Sequence, residues 1–266
     1  GQWWMTAALL PIGVSTVDFA GSLFTYSRAA QVRLSYSDGP LSWAVAIEEP
    51  TNYSYTNMPN IAGYLQYDIA GGHQFIVTGE VADFDGLDAA DSAAGTCNLG
   101  GGVDANVDAC EGAGGVFTPD TVGQAANDEL GWVVQAGANF NVADVATLTG
   151  GVGYGEGLLE TKFAGVGMDP VNDVGDPLET LAFLVGLSFG LSETTSFNAL
   201  FSYVEALEAQ DEDTDIEKAY KVQANILWQP VKQMRMGWEV IWAETEDYNG
   251  DSEDGVRATF GTWFFF

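Results

Sequence analysis

Leu130-Gly131-Trp132-Val133-Val134-Gln135-Ala136-Gly137-Ala138-Asn139-Phe140-Asn141-Val142 is the stretch whose reading decides the fold. Alternate residues split into two sets. Trp132, Val134, Ala136, Ala138, Phe140 and Val142 are apolar, and Gly137 and the amides Gln135, Asn139 and Asn141 share the other set with Val133. A period of two is the mark of a β-strand with one apolar face, because successive side chains leave a pleated strand on opposite sides.

The split recurs outward in both directions. In 220–230, Val222, Ala224, Ile226 and Trp228 oppose Lys221, Gln223, Asn225 and Gln229; in 180–191, Leu181, Phe183, Val185, Leu187 and Phe189 oppose Thr180, Ala182, Gly186 and Ser188. Eleven such runs are predicted, over 28–36, 41–49, 61–69, 73–83, 130–142, 145–156, 179–191, 196–206, 220–230, 235–246 and 256–266, with a partial twelfth at Gly1. The breaks at 37–40, 71–72, 143–144, 192–195 and 231–234 are tight, whereas 84–129, 157–178, 207–219 and 247–255 are long. Alternating short turns and long loops are the layout of outer-membrane barrels. A structureless loop as long as 84–129 counts against an ordinary compact domain.

A soluble sandwich also alternates, but its apolar faces must meet in a core filled by large side chains. Here the polar faces are rich in Gly, Ser, Thr, Asn and Gln, as suits a wet lumen. The aromatics Trp43, Tyr67, Tyr154, Tyr203, Trp228, Trp238, Trp242 and Trp263 fall near strand ends, where interfacial girdles lie. The fold expected is all-β: one antiparallel transmembrane β-barrel domain over residues 1–266 in a bacterial outer membrane.

Composition removes other classes. Eight Lys and Arg against 38 Asp and Glu give a net charge of -30, which repels nucleic acid. At 47% hydrophobic the chain is too apolar for disorder. The run from Leu181 to Leu191 is interrupted by Gly186, Ser188 and Gly190 and is far short of the roughly 20 residues of a spanning helix. The opening Gly1-Gln2-Trp3-Trp4 lacks a signal-peptide pattern, so either a leader has been removed or the N-terminus is incomplete. His73 is the only histidine, leaving no cluster for metal or Ser-His-Asp chemistry, and Gly151-Val152-Gly153-Tyr154-Gly155 lies inside a strand, as small lumen-facing residues rather than a nucleotide loop. Neither an enzyme nor a bound cofactor is expected. Cys97 and Cys110 are read as a loop-closing disulfide suited to an oxidising compartment, with two free thiols as the alternative.

The C-terminal run Val256-Arg257-Ala258-Thr259-Phe260-Gly261-Thr262-Trp263-Phe264-Phe265-Phe266 looks like the assembly signal of outer-membrane proteins. Closure onto the first strand would remove its exposed edge. Two further blocks carry a family resemblance. Gly1-Gln2-Trp3-Trp4 is followed by Leu10-Pro11, Val17-Asp18-Phe19, Phe24 and Arg28-Ala29-Ala30-Gln31-Val32-Arg33-Leu34; then come Ala46-Ile47-Glu48-Glu49-Pro50, and Val222 to Val231 with Gly237-Trp238-Glu239-Val240-Ile241-Trp242. With the terminal strand, these blocks resemble the DcaP-like porins over about a third of the chain. The resemblance implies a sixteen-stranded homotrimeric channel for small organic anions such as dicarboxylates. It also implies that roughly the first four strands precede this sequence, and that 9–27 constricts the pore; an ordinary external loop is the alternative there.

In a channel the lumen charges set selectivity. Alternation places Arg33, Lys221, Arg235 and Arg257 on polar faces, with Arg28 at the outer end of its strand, and the same faces carry Glu48, Glu80 and Glu239. The basic residues form a ladder attracting carboxylate solutes, or they balance the inward Glu residues; the sequence leaves both open. The remaining acids crowd the long loops, as at Asp211-Glu212-Asp213 and Asp247-Tyr248-Asn249-Gly250-Asp251. A solvated acidic surface is one reading and calcium binding another. The second functional reading is therefore a structural or adhesive barrel whose acidic loops meet cations or lipopolysaccharide.

Overall fold

The computed structural model describes residues 2–3, 28–49, 58–85, 95–97, 117–119, 128–142, 145–157, 177–207 and 216–265. Among them are only strands: β1 (Gln2–Trp3), β2 (Arg28–Ala29), β3 (Gln31–Asp38), β4 (Leu41–Glu48), β5 (Asn60–Ile69), β6 (His73–Asp85), β7 (Gly95–Cys97), β8 (Phe117–Pro119), β9 (Asp128–Val142), β10 (Ala146–Glu156), β11 (Glu179–Ser192), β12 (Thr195–Ala206), β13 (Ile216–Val231), β14 (Met234–Asp247) and β15 (Ser252–Phe264). Eleven of them, β3 to β6 and β9 to β15, form one antiparallel meander in chain order, while β1–β2 and β7–β8 are short separate ladders. The eleven expected runs are these eleven strands. The partial twelfth is β1, and β7 and β8 lie inside the stretch expected to be loop.

The two faces of the sheet invert the pattern of a soluble protein. The outer face exposes Val32, Leu34, Val45, Ile61, Leu65, Val134, Val152, Val185, Val222, Ile226 and Val240, with Trp238 at 67% exposure. The inner face buries Asn60, Thr78, Glu80, Gln135, Thr149, Asn198, Ser202, Gln223, Asn225 and Glu239, with Gln135 and Glu239 at 1%. Large exposed apolar surface of this extent needs an apolar solvent or partner.

Aromatic rings bound the outer apolar band at two levels. Near the short turns, Phe75 meets Phe140 edge-on with centroids 5.4 Å apart, and Trp238 lies 4.5 Å from Phe260. Near the long connections, Trp132 meets Tyr154 at 5.4 Å, Phe183 meets Tyr203 at 5.0 Å, and Tyr203 meets Tyr220 at 5.2 Å. On β13 the two levels are Trp228 and Tyr220, about 26 Å apart along a strand rising roughly 3.3 Å per residue, or about 20 Å of height at a tilt near 40°. That matches the ~25 Å band of an outer-membrane barrel.

The ladder rows climb through this band. One row runs Leu34, Val45, Gly63, Gly79, Val134, Tyr154, Leu181, Glu205, Lys218 and Glu246 from β3 to β14. It starts among aliphatic residues, crosses the aromatic level at Tyr154 and ends in charge, where Lys218 Nζ is 2.8 Å from Glu246. A steady stagger from strand to strand is what a tilted, barrel-forming sheet requires.

Turn chemistry follows the residues. Gly71 and Gly72 take φ of 94° and 78°, which side chains rarely adopt, and Asn141 Nδ2 donates to both of their carbonyls at 3.3 and 3.1 Å. Pro230 has no N–H for a ladder and falls within a register shift between Trp228 and Val231. Gly155 is a packing requirement: a Cβ there would press on the Trp132 carbonyl and the Val133 backbone. Gly155→Val is expected to destabilise the barrel by about 1–3 kcal/mol, because the close β9–β10 approach cannot relax. Urea unfolding in lipid vesicles checks it, and an unchanged midpoint would mean that the two strands can move apart at no cost.

Two expectations are corrected. The stretch 247–255 is not a long loop: β14 and β15 extend to Asp247 and Ser252, leaving a tight turn with Gly250 at φ 83°. The described sheet has β15 at one side and β3 at the other. Ten antiparallel steps leave these two strands running the same way, so direct pairing would be parallel. Trp263 is on the inner face, opposite Arg235, rather than in a girdle.

Candidate functional site

The inner face is held by side-chain hydrogen bonds that cross from strand to strand. Ser188 Oγ donates to Asn198 Oδ1 at 2.6 Å, Asn198 Nδ2 to Asn225 Oδ1 at 2.8 Å, and Asn225 Nδ2 to Glu239 Oε2 at 3.0 Å. Gln223 Nε2 reaches the same Glu239 oxygen at 2.7 Å. A second chain links Thr149, Asn139 and Gln74 across β10, β9 and β6 at 2.6 and 3.3 Å. These amides and hydroxyls occupy the inward set of their strands because the outward set is apolar.

All three predicted inward carboxylates follow one design. Gln31 Nε2 donates to Glu48 at 3.1 Å, Asn60 Nδ2 to Glu80 at 2.9 Å, and Gln223 and Asn225 to Glu239. A carboxylate taken from water needs donors aimed at it, and amide N–H groups on the adjacent strand supply them. Asn225→Ala removes one donor to Glu239 and the acceptor of Asn198 together. Since orphaned buried polar groups each cost about 1–3 kcal/mol, a loss of that order is expected in chemical unfolding. Retention of full stability would show that the network closes again around the gap.

The predicted basic residues are all inward, and three are brought onto one wall. The ladder puts Lys221 opposite Ser202 and Ala243, Arg257 opposite Ile241, and Arg235 opposite Trp263. Read down β13 to β15 from the long-connection end, the inner face therefore carries Lys221, then Arg257, then Glu239, then Arg235. Arg235 ends this track at the short turns, in a polar cleft with Ser188, Glu193, Thr194, Asn198 and Gln229, and lies 5.6 Å from the Phe265 ring. Arg33 is apart from them on edge strand β3, opposite Ala46. Glu48 and Glu80 flank Asn60 on β4 to β6. Glu48 and Glu80 thus lie on β4 and β6 and Lys221, Arg257 and Arg235 on β13–β15, while Arg33 stands beside the acids on β3, and Glu239 and Glu253 share the inner face with the bases.

The clamping roles of Gln31, Asn60, Gln223 and Asn225 were not legible as such, because cross-strand register is needed to pair them. The anticipated small inner residues Gly151, Gly153 and Gly155 face Leu184, Ala182 and Thr180. In the Asp247 turn Oδ1 accepts from the backbone N–H of Asn249 at 3.0 Å and of Asp251 at 2.8 Å. Among the described residues no three acidic, His or Cys side chains converge on a metal position. Of the expected disulfide, Cys97 ends β7 and Cys110 lies outside the described residues, as do Asp211-Glu212-Asp213 and 9–27. Arg28 lies in β2, paired with Trp3.

No protein-family model and no curated protein sequence matches the chain. Solved structures do. The outer membrane channel DcaP of Acinetobacter baumannii aligns over 97% of this chain and 68% of its own length, at 17% identity and a TM-score of 0.68. An anion-selective porin from Comamonas acidovorans aligns over 95% of this chain and 65% of its own, at 11% identity and a TM-score of 0.54. The trimer form of OmpT, an outer membrane protein of Vibrio cholerae, aligns over 99% and 75%, at 10% identity and a TM-score of 0.57. The eleven-stranded meander, apolar outside and polar within, accordingly has the fold of the outer-membrane porins, with the DcaP-like architecture that the sequence blocks suggest.

Proposed function

We propose that the protein is a passive diffusion channel of the bacterial outer membrane, a subunit of a homotrimer, that admits small hydrophilic solutes and favours small organic anions such as dicarboxylates. The observation that carries this reading is the inverted sheet: an apolar outer face banded by aromatics, backed by an inner wall rich in amides, hydroxyls and charges. Such a wall suits water and solute rather than a packed core. The preference for anions is supported by Lys221, Arg257 and Arg235 on one wall and Arg33 on β3, four of only eight basic residues in the chain. It is also in keeping with the anion selectivity of the Comamonas porin. Diffusion down a gradient needs no catalytic group and no cofactor, and the reading is of a non-enzyme. Membrane lipid and lipopolysaccharide would meet the outer face.

Planar-bilayer recording of the purified protein tests it. Conductance steps in threes, with a reversal potential under a salt gradient on the anion side, are the expected result. Cation preference would keep the channel and reject the basic track as its filter. Absence of conductance from folded protein would reject the channel in favour of the structural barrel.

A further inference from the structure

The long-connection end of the inner wall carries an apolar patch among its polar groups. Ala82, Val133, Ala182, Leu184, Leu200, Val204, Ala206 and Ala219 form a buried apolar cluster on the inner face of β6 to β13, and Ile216 and Tyr248 pack against it. Neither residue would be assigned there by simple alternation. Counting back in twos from inward Ala219 puts Ile216 on the outer face, but the register slips between Ile216 and Lys218, and this bulge turns Ile216 inward. Tyr248 follows β14 in the turn that Asp247 ties down. Asp247 accepts from Asn249 and Asp251 through its carboxylate, and its own N–H donates to the Asp251 carbonyl at 3.0 Å. A turn braced on three sides holds the ring where it is.

We infer that Ile216 and Tyr248 form a bulky lip on the outer mouth of the channel, with Tyr248 the size-limiting residue on the β13–β15 side; this rests on the channel reading above. A solute entering from the long-connection end meets the lip and Glu253, which the ladder sets on the inner face opposite Thr245, then Lys221 two residues beyond Ala219, then Arg257. Bulk at a narrow point lowers conductance by reducing the cross-section left for hydrated ions. The bulge and the braced turn thus serve permeation: they carry two large side chains from the rim to the lumen side.

Single-channel recording of Tyr248→Ala and Tyr248→Trp beside the unaltered protein tests this. Tyr248→Ala should conduct about 1.5-fold more or higher, and Tyr248→Trp less, with the anion-to-cation ratio unchanged because no charge is touched. Heat-modifiable migration of both variants confirms that they are folded. Equal conductance in the three folded proteins would overturn the lip and leave Tyr248 a packing residue. A silent unaltered protein would instead overturn the channel reading itself.

Discussion

Reversing the two basic residues nearest each other on the inner wall, Lys221→Glu with Arg257→Glu, should lower the anion-to-cation permeability ratio by about thirtyfold and move the reversal potential to the cation side. The two lie on β13 and β15 with β14 between them, and the row of Lys221 meets β15 at Gly255, two residues from Arg257. In a wet lumen a unit charge at 4 Å contributes about 1 kcal/mol, and reversal replaces attraction by repulsion. Allowing for greater distance and salt screening, about 1 kcal/mol per site gives roughly 2 kcal/mol, and 1.4 kcal/mol is a factor of ten. The ratio is read from reversal potentials under a potassium chloride gradient. An unchanged ratio in a variant of normal conductance would remove both residues from the filter, and selectivity would then have to come from Arg33 or Arg235.

Val185→Arg should destabilise the barrel by about 2–4 kcal/mol, the cost of a cation at the midplane of an outer-membrane barrel. Val185 is 51% exposed on the outer face of β11, between Phe183 and Phe189. Gln66→Arg supplies the internal control. Its side chain is inward, bonded to Asp68 at 3.1 Å, so an arginine there meets water and a carboxylate and should cost close to nothing. Urea midpoints in lipid vesicles compare the two. Equal losses would mean that the outer face is not bathed in lipid, and would return the exposed apolar surface to some protein partner.

The difference between what was legible and what was not is a matter of which forces are local. Alternation in 130–142 is visible because lipid and water act on each side chain separately, and the same holds for the inward placement of Arg33, Lys221, Arg235 and Arg257. Register is not local. That Asn225 reaches Glu239, or that Asn60 stands between Glu48 and Glu80, depends on how far each strand slides against the next. The turn at 248–251 was hidden for a related reason: its acids look like a solvated loop, yet one carboxylate accepts from two backbone N–H groups and stiffens it. Trp263 shows the converse. Residue type alone groups it with the girdle aromatics, although its own alternation with Phe260, Thr262 and Phe264 sets it on the inner face.

The odd number of strands in the described meander has a geometric consequence for how a barrel containing it can close. β3 and β15 run in the same direction, so joining them directly would make a parallel seam, whereas outer-membrane barrels of bacteria pair every strand antiparallel and count them in even numbers. An antiparallel barrel that holds both strands therefore needs an odd number of further strands between them.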